Sequence, residues 1–298
     1  MMAQSKNILV TGGAGYIGSH ICVALINDGF TPIIVDDLSN AHVGTLDNIG
    51  RITGVTPLFY QMDICNQSAL YDIFTRHDIS TVIHLAAKKA VEESVQNPLA
   101  YYNCNIDGLL SVLAAMSSHR ITDIIYSSSA TVYAPTAVGI YDETAPLQPA
   151  NPYGWTKFMG EQIIADVAIA SPLCAGILRY FNPVGAHQSG LIGENPKGKP
   201  NNLMPLVAQV ANSTRTHIAV YGGDYHTPDG TAIRDFVHVM DVAEAHVKAL
   251  RKLKDDHKGF ILNIGTGQGH SVLDIIKTYE RVSGFSIPYQ IYYLLLLN

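Results

Sequence analysis

Charge, and positive charge above all, is what this sequence is short of. Of its 298 residues only 15% are Asp, Glu, Lys or Arg, and 19 basic residues face 25 acidic ones, for a net charge of −6. Nucleic acids are held by basic faces, so the composition argues against them as partners. Long apolar runs are missing too. None approaches the ~20 residues that span a bilayer, and nothing at the N-terminus reads as a signal peptide. A cytoplasmic protein with no membrane segment is therefore expected. Cys22, Cys65, Cys104 and Cys174 show no Cys-x-x-Cys spacing, so reduced, buried thiols are expected rather than a metal or disulfide framework. The 12 histidines form no His-x-x-x-His pair, and no metal site is expected. What is abundant is apolar residue, 47% of the chain. That is enough for a large core in one large or two modest domains, and the sparse charge is compatible with some surface being covered by a partner.

The first 40 residues carry an ordered set of signals. Asn7-Ile8-Leu9-Val10 is a short apolar run that predicts a strand. It enters Thr11-Gly12-Gly13-Ala14-Gly15-Tyr16-Ile17-Gly18, with glycines spaced G-x-x-G-x-x-G. In a dinucleotide-binding turn Gly12 permits the tight bend, Gly15 lets backbone approach a pyrophosphate, and Gly18 lets the helix lie close to the strand. A helix from about Tyr16 to Asp28, stopped by Gly29, would offer its N-terminal N–H groups to phosphate. A second apolar run, Ile33-Ile34-Val35, ends in Asp36, 18 positions after Gly18. An acid near that spacing accepts from the adenosine ribose hydroxyls and repels a 2′-phosphate, which favours NAD over NADP.

Strand and helix signals then alternate to about residue 180. Strands are predicted at 58–60, 81–85, 124–126 and 175–180, and helices at 68–76, from Pro98 to Met116, and at 153–170. This alternation predicts an α/β fold with a doubly wound parallel (Rossmann) sheet, whose ligands sit beyond the carboxyl ends of its strands. After Asn182-Pro183 the pattern loosens. A smaller α/β substrate domain is expected over 182–298, beside a cofactor domain over 1–181, with helices near 203–213, 241–254 and 271–283. There is no internal repeat.

Asn151-Pro152-Tyr153-Gly154-Trp155-Thr156-Lys157 carries the candidate chemistry. A helix places positions i and i+4 on one face, so the Lys157 ammonium can lie beside the Tyr153 phenol. A phenol is a poor base at neutral pH; a nearby cation favours the phenolate, and a cationic nicotinamide ring would favour it further. Ser127-Ser128-Ser129, at a strand end, can supply a hydroxyl to share the proton. This is equipment for oxidising a sugar hydroxyl with NAD.

In these motifs the chain resembles the extended short-chain dehydrogenase/reductase family and, within it, the UDP-glucose 4-epimerases. TGGAGYIGSH, SSSATVY, NPYGWTK, RYFNPVGAH, PNNLMP, DGTAIRDFVHV and NIGTGQGHSVLD follow that family's order to about Gly284. The resemblance implies Tyr153 as base, Lys157 as the residue that lowers its pKa and binds the nicotinamide ribose, and Ser129 as the shared hydroxyl. It implies cofactor contacts at Tyr16, Ile17, Asp36, Asp37, Asn40, Asp63, Ile64, Leu85, Ala86, Ala87, Lys89, Cys104 and Phe181. UDP-hexose contacts are implied at Asn182, Asn202, Leu203, Tyr221 and Arg234, where a guanidinium fork suits a diphosphate. It also implies a homodimer through the helices after Pro98 and from Tyr153. A related 4,6-dehydratase activity would need an Asp-Glu pair where this chain has Ala130 and Thr131, which cannot perform the elimination.

Three departures matter. Cys104 stands where the family has an asparagine on the cofactor, and Lys88 where an apolar residue is usual. After Pro288-Tyr289 the family continues with an Arg-rich phosphate-binding segment and a closing helix. Here the chain reads Gln290-Ile291-Tyr292-Tyr293-Leu294-Leu295-Leu296-Leu297-Asn298, an uncharged tail that reads as a frameshift, mis-splicing or premature stop. From this tail follow an incomplete second domain, weakened UDP-sugar binding, and a second reading as a catalytically impaired NAD-binding remnant.

Overall fold

The computed structural model describes residues 5–136, 139–198 and 200–292. The first half runs β1 (Asn7–Thr11), α1 (Tyr16–Asn27), β2 (Thr31–Asp36), α2 (Gly44–Thr53), β3 (Leu58–Gln61), α3 (Gln67–Arg76) and β4 (Ile79–His84). It continues through α4 (Val91–Gln96), α5 (Pro98–Tyr102), a π turn (Asn103–Asp107), α6 (Gly108–Ser118), β5 (Asp123–Ser129), α7 (Pro152–Ala170) and β6 (Cys174–Tyr180). The second half comprises β7 (Asn182–Val184), α8 (Leu203–Ala211), β8 (Ile218–Tyr221), β9 (Ile233–His238), α9 (Val239–Asp256), β10 (Phe260–Ile264), β11 (Gly269–Ser271), α10 (Val272–Ser283) and β12 (Tyr289–Tyr292).

Seven strands form one parallel sheet in the order β10-β6-β5-β4-β1-β2-β3. Ile8, Leu9 and Val10 have no exposed surface, as a parallel strand covered on both faces requires. One cover is built from α1, α2 and α9, the other from α3, α6 and α7. Strand order reverses between β1 and β4, which opens the crevice at the carboxyl edge. This is the predicted doubly wound α/β fold.

The expected division at 181/182 does not divide this sheet. β10 pairs with β6, and Val242, Ala243 and Leu250 of α9 share a core with Ile21 and Leu25 of α1. The chain leaves the sheet after β6, builds β7–β9 and α8, and returns to that face with α9. Outside the large sheet lie the β11-β9-β7 ladder, the β12-β8 pair and a small core of Val207, Ile218, Val220, Leu273, Ile276 and Ile287. Within the tail, Tyr289–Tyr292 is a strand parallel to β8; 293–298, with Leu294–Leu297, lies outside the described residues.

Two other elements depart from expectation. Helix α2 buries Leu46 and Ile49, but its glycines and threonines are weak helix formers and hide the pattern. The single helix expected from Pro98 to Met116 is interrupted by the π turn, whose widened winding re-aims side chains.

Helix α7 lies unusually close to β5. A Cβ on Gly160 would stand 2.1 Å from the Tyr126 hydroxyl oxygen and 3.3 Å from a Leu109 methyl. Gly160→Ala should therefore destabilise the protein by about 1–3 kcal/mol, the usual cost of overpacking, despite the ~1 kcal/mol alanine gains in helix propensity. The urea midpoint should fall at constant m-value; a midpoint at or above the parent's contradicts this close approach.

Candidate active site

At the carboxyl edge β1 delivers the glycine turn. Gly12 has φ +73°, and a Cβ there would stand 2.8 Å from the Ala86 backbone nitrogen. A Cβ on Gly18 would reach 2.2 Å from the Gly12 carbonyl oxygen, so the third glycine is demanded by the fold itself. Gly15 is different. Its Cβ would meet only the Gly12 oxygen, at 3.3 Å, so the space above it is left for something outside the chain. Gly15 is also the N-cap of α1, with no side-chain cap and no acidic residue in the first turn. The first N–H groups of that helix therefore face the crevice without a side-chain acceptor, the arrangement that binds phosphate.

Asp36 at the end of β2 accepts from the Ala14 N–H at 3.1 Å and the Leu38 N–H at 2.9 Å. Burial raises its pKa and these N–H groups oppose the rise. The carboxylate is thus fixed in place with lone pairs to spare. Asp37 and Asp63 each accept a backbone N–H two residues on, from Ser39 and Cys65. A bare helix terminus, a glycine cradle and a fixed acid are the groups by which a dinucleotide's pyrophosphate and ribose can be held.

These groups line one cavity of about 450 Å³. It gathers Gly12, Gly15, Tyr16, Ile17, Gly18, Asp36, Asp37 and Asn40 from the first two strand ends. Asp63, Ile64, Leu85, Ala86, Ala87, Lys89, Cys104, Tyr153 and Lys157 complete the candidates brought together there. Lys88 is also in the lining and reaches Glu93 at 3.9 Å. The π turn accounts for the loop's position. Asn105 donates to the Lys88 carbonyl (3.0 Å), accepts from the Lys88 N–H (2.8 Å), and donates to the Thr156 hydroxyl on α7 (2.9 Å).

Sequence reasoning missed one wall. Leu191, Ile192, Gly193 and Glu194 cross the cavity from the second half of the chain. This strap is pinned on several sides. Tyr16 donates to the Gly185 carbonyl (2.8 Å), Asn48 to the Leu191 carbonyl (2.9 Å) and Lys197 to the Leu38 carbonyl (2.7 Å), while Lys89 pairs with Glu194 at 3.2 Å. No local pattern announces such a wall, because its partners are more than a hundred residues away in sequence. Tyr180, also in the lining, was missed as well. His246 must donate from Nδ1 to the Val242 carbonyl (2.8 Å), so its Nε2 accepts from the Tyr180 hydroxyl (2.7 Å).

Tyr153 and Lys157 stand on the first two turns of α7, which Asn151 caps by accepting from the Gly154 N–H at 2.9 Å. Lys157 is 4% exposed and donates to the Ser127 carbonyl at 2.7 Å, lying over the Tyr126 ring. Burial lowers its pKa to about 8. Its hydrogen bond thus goes to the strand rather than to the phenol. Burial raises the Tyr153 pKa, and only the Ser129 hydroxyl works against that. Ser129 accepts from the Thr131 N–H (3.2 Å) and the Thr131 hydroxyl (3.0 Å). With its lone pairs engaged, its own proton is free to be donated to Tyr153. His84 beside Lys157 is held neutral, its pKa lowered to about 3 by burial and by that cation.

Other candidates fall outside the cavity lining. Ser129 is buried at the end of β5, and Phe181 lies against Gly265. Asn182 is exposed on β7, and Asn202 donates to Glu194. Leu203 begins α8 and packs on the small core, and Tyr221 is exposed at the end of β8. Arg234, exposed on β9, donates to its neighbour's carbonyl, while Asp235 caps the Thr266-Gly267 turn. Among the described residues no group of His, Cys, Asp and Glu is arranged to hold a metal, and no helix is long and apolar enough to cross a membrane.

Residues 8–265 match the NAD dependent epimerase/dehydratase family, and the chain belongs to it. The chain is 48% identical to the UDP-glucose 4-epimerase of Bacillus subtilis over 284 residues, 95% of this chain and 84% of that protein. It is 49% identical to the Dictyostelium discoideum enzyme of that name over 286 residues, 95% and 83% of the two chains. The UDP-glucose 4-epimerase structure from Stenotrophomonas maltophila, with NAD and formylated UDP-arabinopyranose bound, matches with a TM-score of 0.94 at 47% identity, covering 98% of this chain and 87% of that one. The Bifidobacterium longum enzyme with NAD+ and UDP matches at 0.92 and 44%, covering 96% and 86%.

The buried lysine gives a pH test on cofactor-free protein. Its pKa is about 8 when folded against about 10.4 in an unfolded chain. Between those values the unfolded state holds the extra proton, so this residue's contribution to stability rises with pH. Below pH 8 the buried ammonium costs about 3 kcal/mol. The stability of Lys157→Met relative to the parent should therefore decline from pH 8 to about pH 10.4. Urea midpoints across that range check it; a relative stability that is flat or rises with pH contradicts it.

Proposed function

We propose that this chain interconverts UDP-glucose and UDP-galactose with tightly held NAD. The observation that carries the reading is a Tyr153–Lys157 pair opening into the same cavity as the bare α1 terminus and Asp36. Held by the α1 terminus and Asp36, NAD would supply the hydride acceptor and donor for chemistry at sugar C4. Tyr153 takes the C4 hydroxyl proton, and the Ser129 hydroxyl shares it. Lys157 supplies a cation that supports the phenolate, and it would also hold the nicotinamide ribose. Because the proton returns to the same sugar, the site needs no proton path to bulk water, and its burial is an advantage.

A strap pinned across the cavity supports firm cofactor retention. Asn182, Asn202, Leu203, Tyr221 and exposed Arg234 are proposed as contacts for the UDP-sugar, and Phe181 as a flank of the nicotinamide. The lobe built from β7–β9, α8, β11, α10 and β12 is proposed as the sugar-binding unit. An impaired remnant is the less favoured reading: relatives match over 83–85% of their length, and all the residues named for chemistry lie in the matched region. The protein is further proposed to be cytoplasmic, with its free thiols reduced. It is also proposed to form a homodimer through the outer faces of α5, α6 and α7. Leu99, Leu110, Trp155, Met159 and Ile169 are exposed on these helices, and apolar side chains grouped on a surface mark interaction sites.

Tyr153→Phe should lower UDP-galactose turnover about 10²–10⁴-fold, the usual cost of a lost general base, with bound NAD unchanged by its absorbance. Turnover within threefold of the parent would sink the assignment. Light scattering at micromolar concentration should return twice the chain mass; a clean monomer refutes the dimer.

A further inference from the structure

Behind the Tyr153–Lys157 pair lies a buried polar cluster that the reaction as derived so far does not use. Glu161 is one helical turn beyond Lys157, and its side chain is 7% exposed; Arg179 on β6 is 2% exposed. Arg179 donates from Nε to Glu161 Oε1 (2.9 Å) and from Nη2 to Oε2 (2.6 Å), a bidentate pairing. Ser128 on β5 donates to the same Oε1. The remaining guanidinium edge donates to the Tyr133 hydroxyl (3.0 Å) and the Glu143 carbonyl (3.3 Å), and Tyr133 donates to Asn263 of β10 (2.6 Å).

A buried ion pair is weak evidence of stability, since desolvating two charges offsets most of their attraction. Its location is more informative. Each residue of the trio adjoins a residue of the site: Ser128 precedes Ser129, Glu161 follows Lys157 by one turn, and Arg179 precedes Tyr180. One carboxylate thus ties together the three elements that present the shared hydroxyl, the base with its cation, and the Tyr180 wall.

We propose that Glu161, through its pairing with Arg179 and Ser128, is a positioning residue that sets Tyr153 and Lys157 against Ser129 for proton transfer. The proposal rests on the epimerase reading for its kinetic test. It has an electrostatic side as well. Lys157 faces Tyr153 and Glu161 on its own helix, His84 from β4, Tyr126 from β5, Tyr180 from β6 and Cys104 from the π turn. His84 is neutral, and burial holds the phenols and the Cys104 thiol protonated. Cys104 and Glu161 are the two groups that oppose the effect of burial on Lys157, and Glu161 is the carboxylate of the two. If it were neutral, the Arg179 charge would face Lys157 unopposed.

Glu161→Gln should lower kcat about 10- to 100-fold, as expected for a displacement of about 1 Å at the reacting groups, with KM changed less than about threefold. The alkaline limb of kcat should move down by about one pH unit, because Lys157 loses its proton more readily. Ser128→Ala, which cuts only the strand tether, should give a smaller loss of the same kind. Should E161Q fail to fold, the double variant Glu161→Leu with Arg179→Met decides. Such charge-free pairs often fold as well as the ion pair they replace, and this one should fold yet remain slow. Parent-like kcat with an unmoved limb in E161Q, or parent-like kcat in the folded double variant, overturns the proposal. The parent is assayed first, and its failure to turn over UDP-galactose counts against the epimerase reading alone. The geometry is then read without turnover, from a crystal structure of the E161Q–NAD complex. Tyr153 should be displaced from Ser129 by about 1 Å while β1–β4 superpose; an unshifted α7 overturns the proposal.

Discussion

Lys157 is a cation with almost no access to water, and the site is arranged around keeping it there. An isolated ammonium in an apolar interior gives up its proton rather than bear the loss of hydration. Here the loss is limited by the Ser127 carbonyl, the face of the Tyr126 ring and the Glu161 carboxylate behind it. Those partners come from β5 and α7, which can meet closely only because Gly160 presents no side chain to Tyr126. The packing of one helix on one strand therefore precedes the chemistry.

The cofactor side follows a different logic. Its cradle is made of backbone: a tight turn at Gly12, open space above Gly15 and the uncapped start of α1. Backbone groups cannot be re-aimed by rotamer changes, so this half is largely formed before any ligand arrives. The strap then closes it with side chains drawn from Tyr16, Asn48, Lys89 and Lys197. Glu194 accepts from both Lys89 and Asn202, so the cofactor wall and a proposed sugar contact share one carboxylate.

The return of β10 and α9 to the first sheet joins the two halves of the chain. Had the second half been a separate appendage, its loops would be free to move relative to the cofactor. Because α9 completes the core beneath α1 and β10 extends the sheet beyond β6, the loops between β6 and α9 leave from and return to the same rigid edge. The strap is anchored at both ends.

The sequence by itself determined the parallel sheet, the glycine turn and the placing of Tyr153 and Lys157 on successive turns of one helix. These rest on local rules: strand and helix periods, glycine spacing, and the fact that i and i+4 share a helix face. Asp36 was legible for the same reason, since a fixed number of residues separates it from the turn. Tertiary structure alone decided what lies far away along the chain. The strap, the Tyr180–His246 bond, the return of β10 and the Glu161–Arg179–Ser128 cluster each join segments whose separation leaves no periodic trace. The π turn escaped for a subtler reason. Its five residues look helical, and the extra residue in the winding is held by Asn105 bonding to Lys88 and Thr156. Local propensity sets which elements form, but the depth of Lys157 and the aim of Ser129 are set by contacts that exist only once those elements have packed.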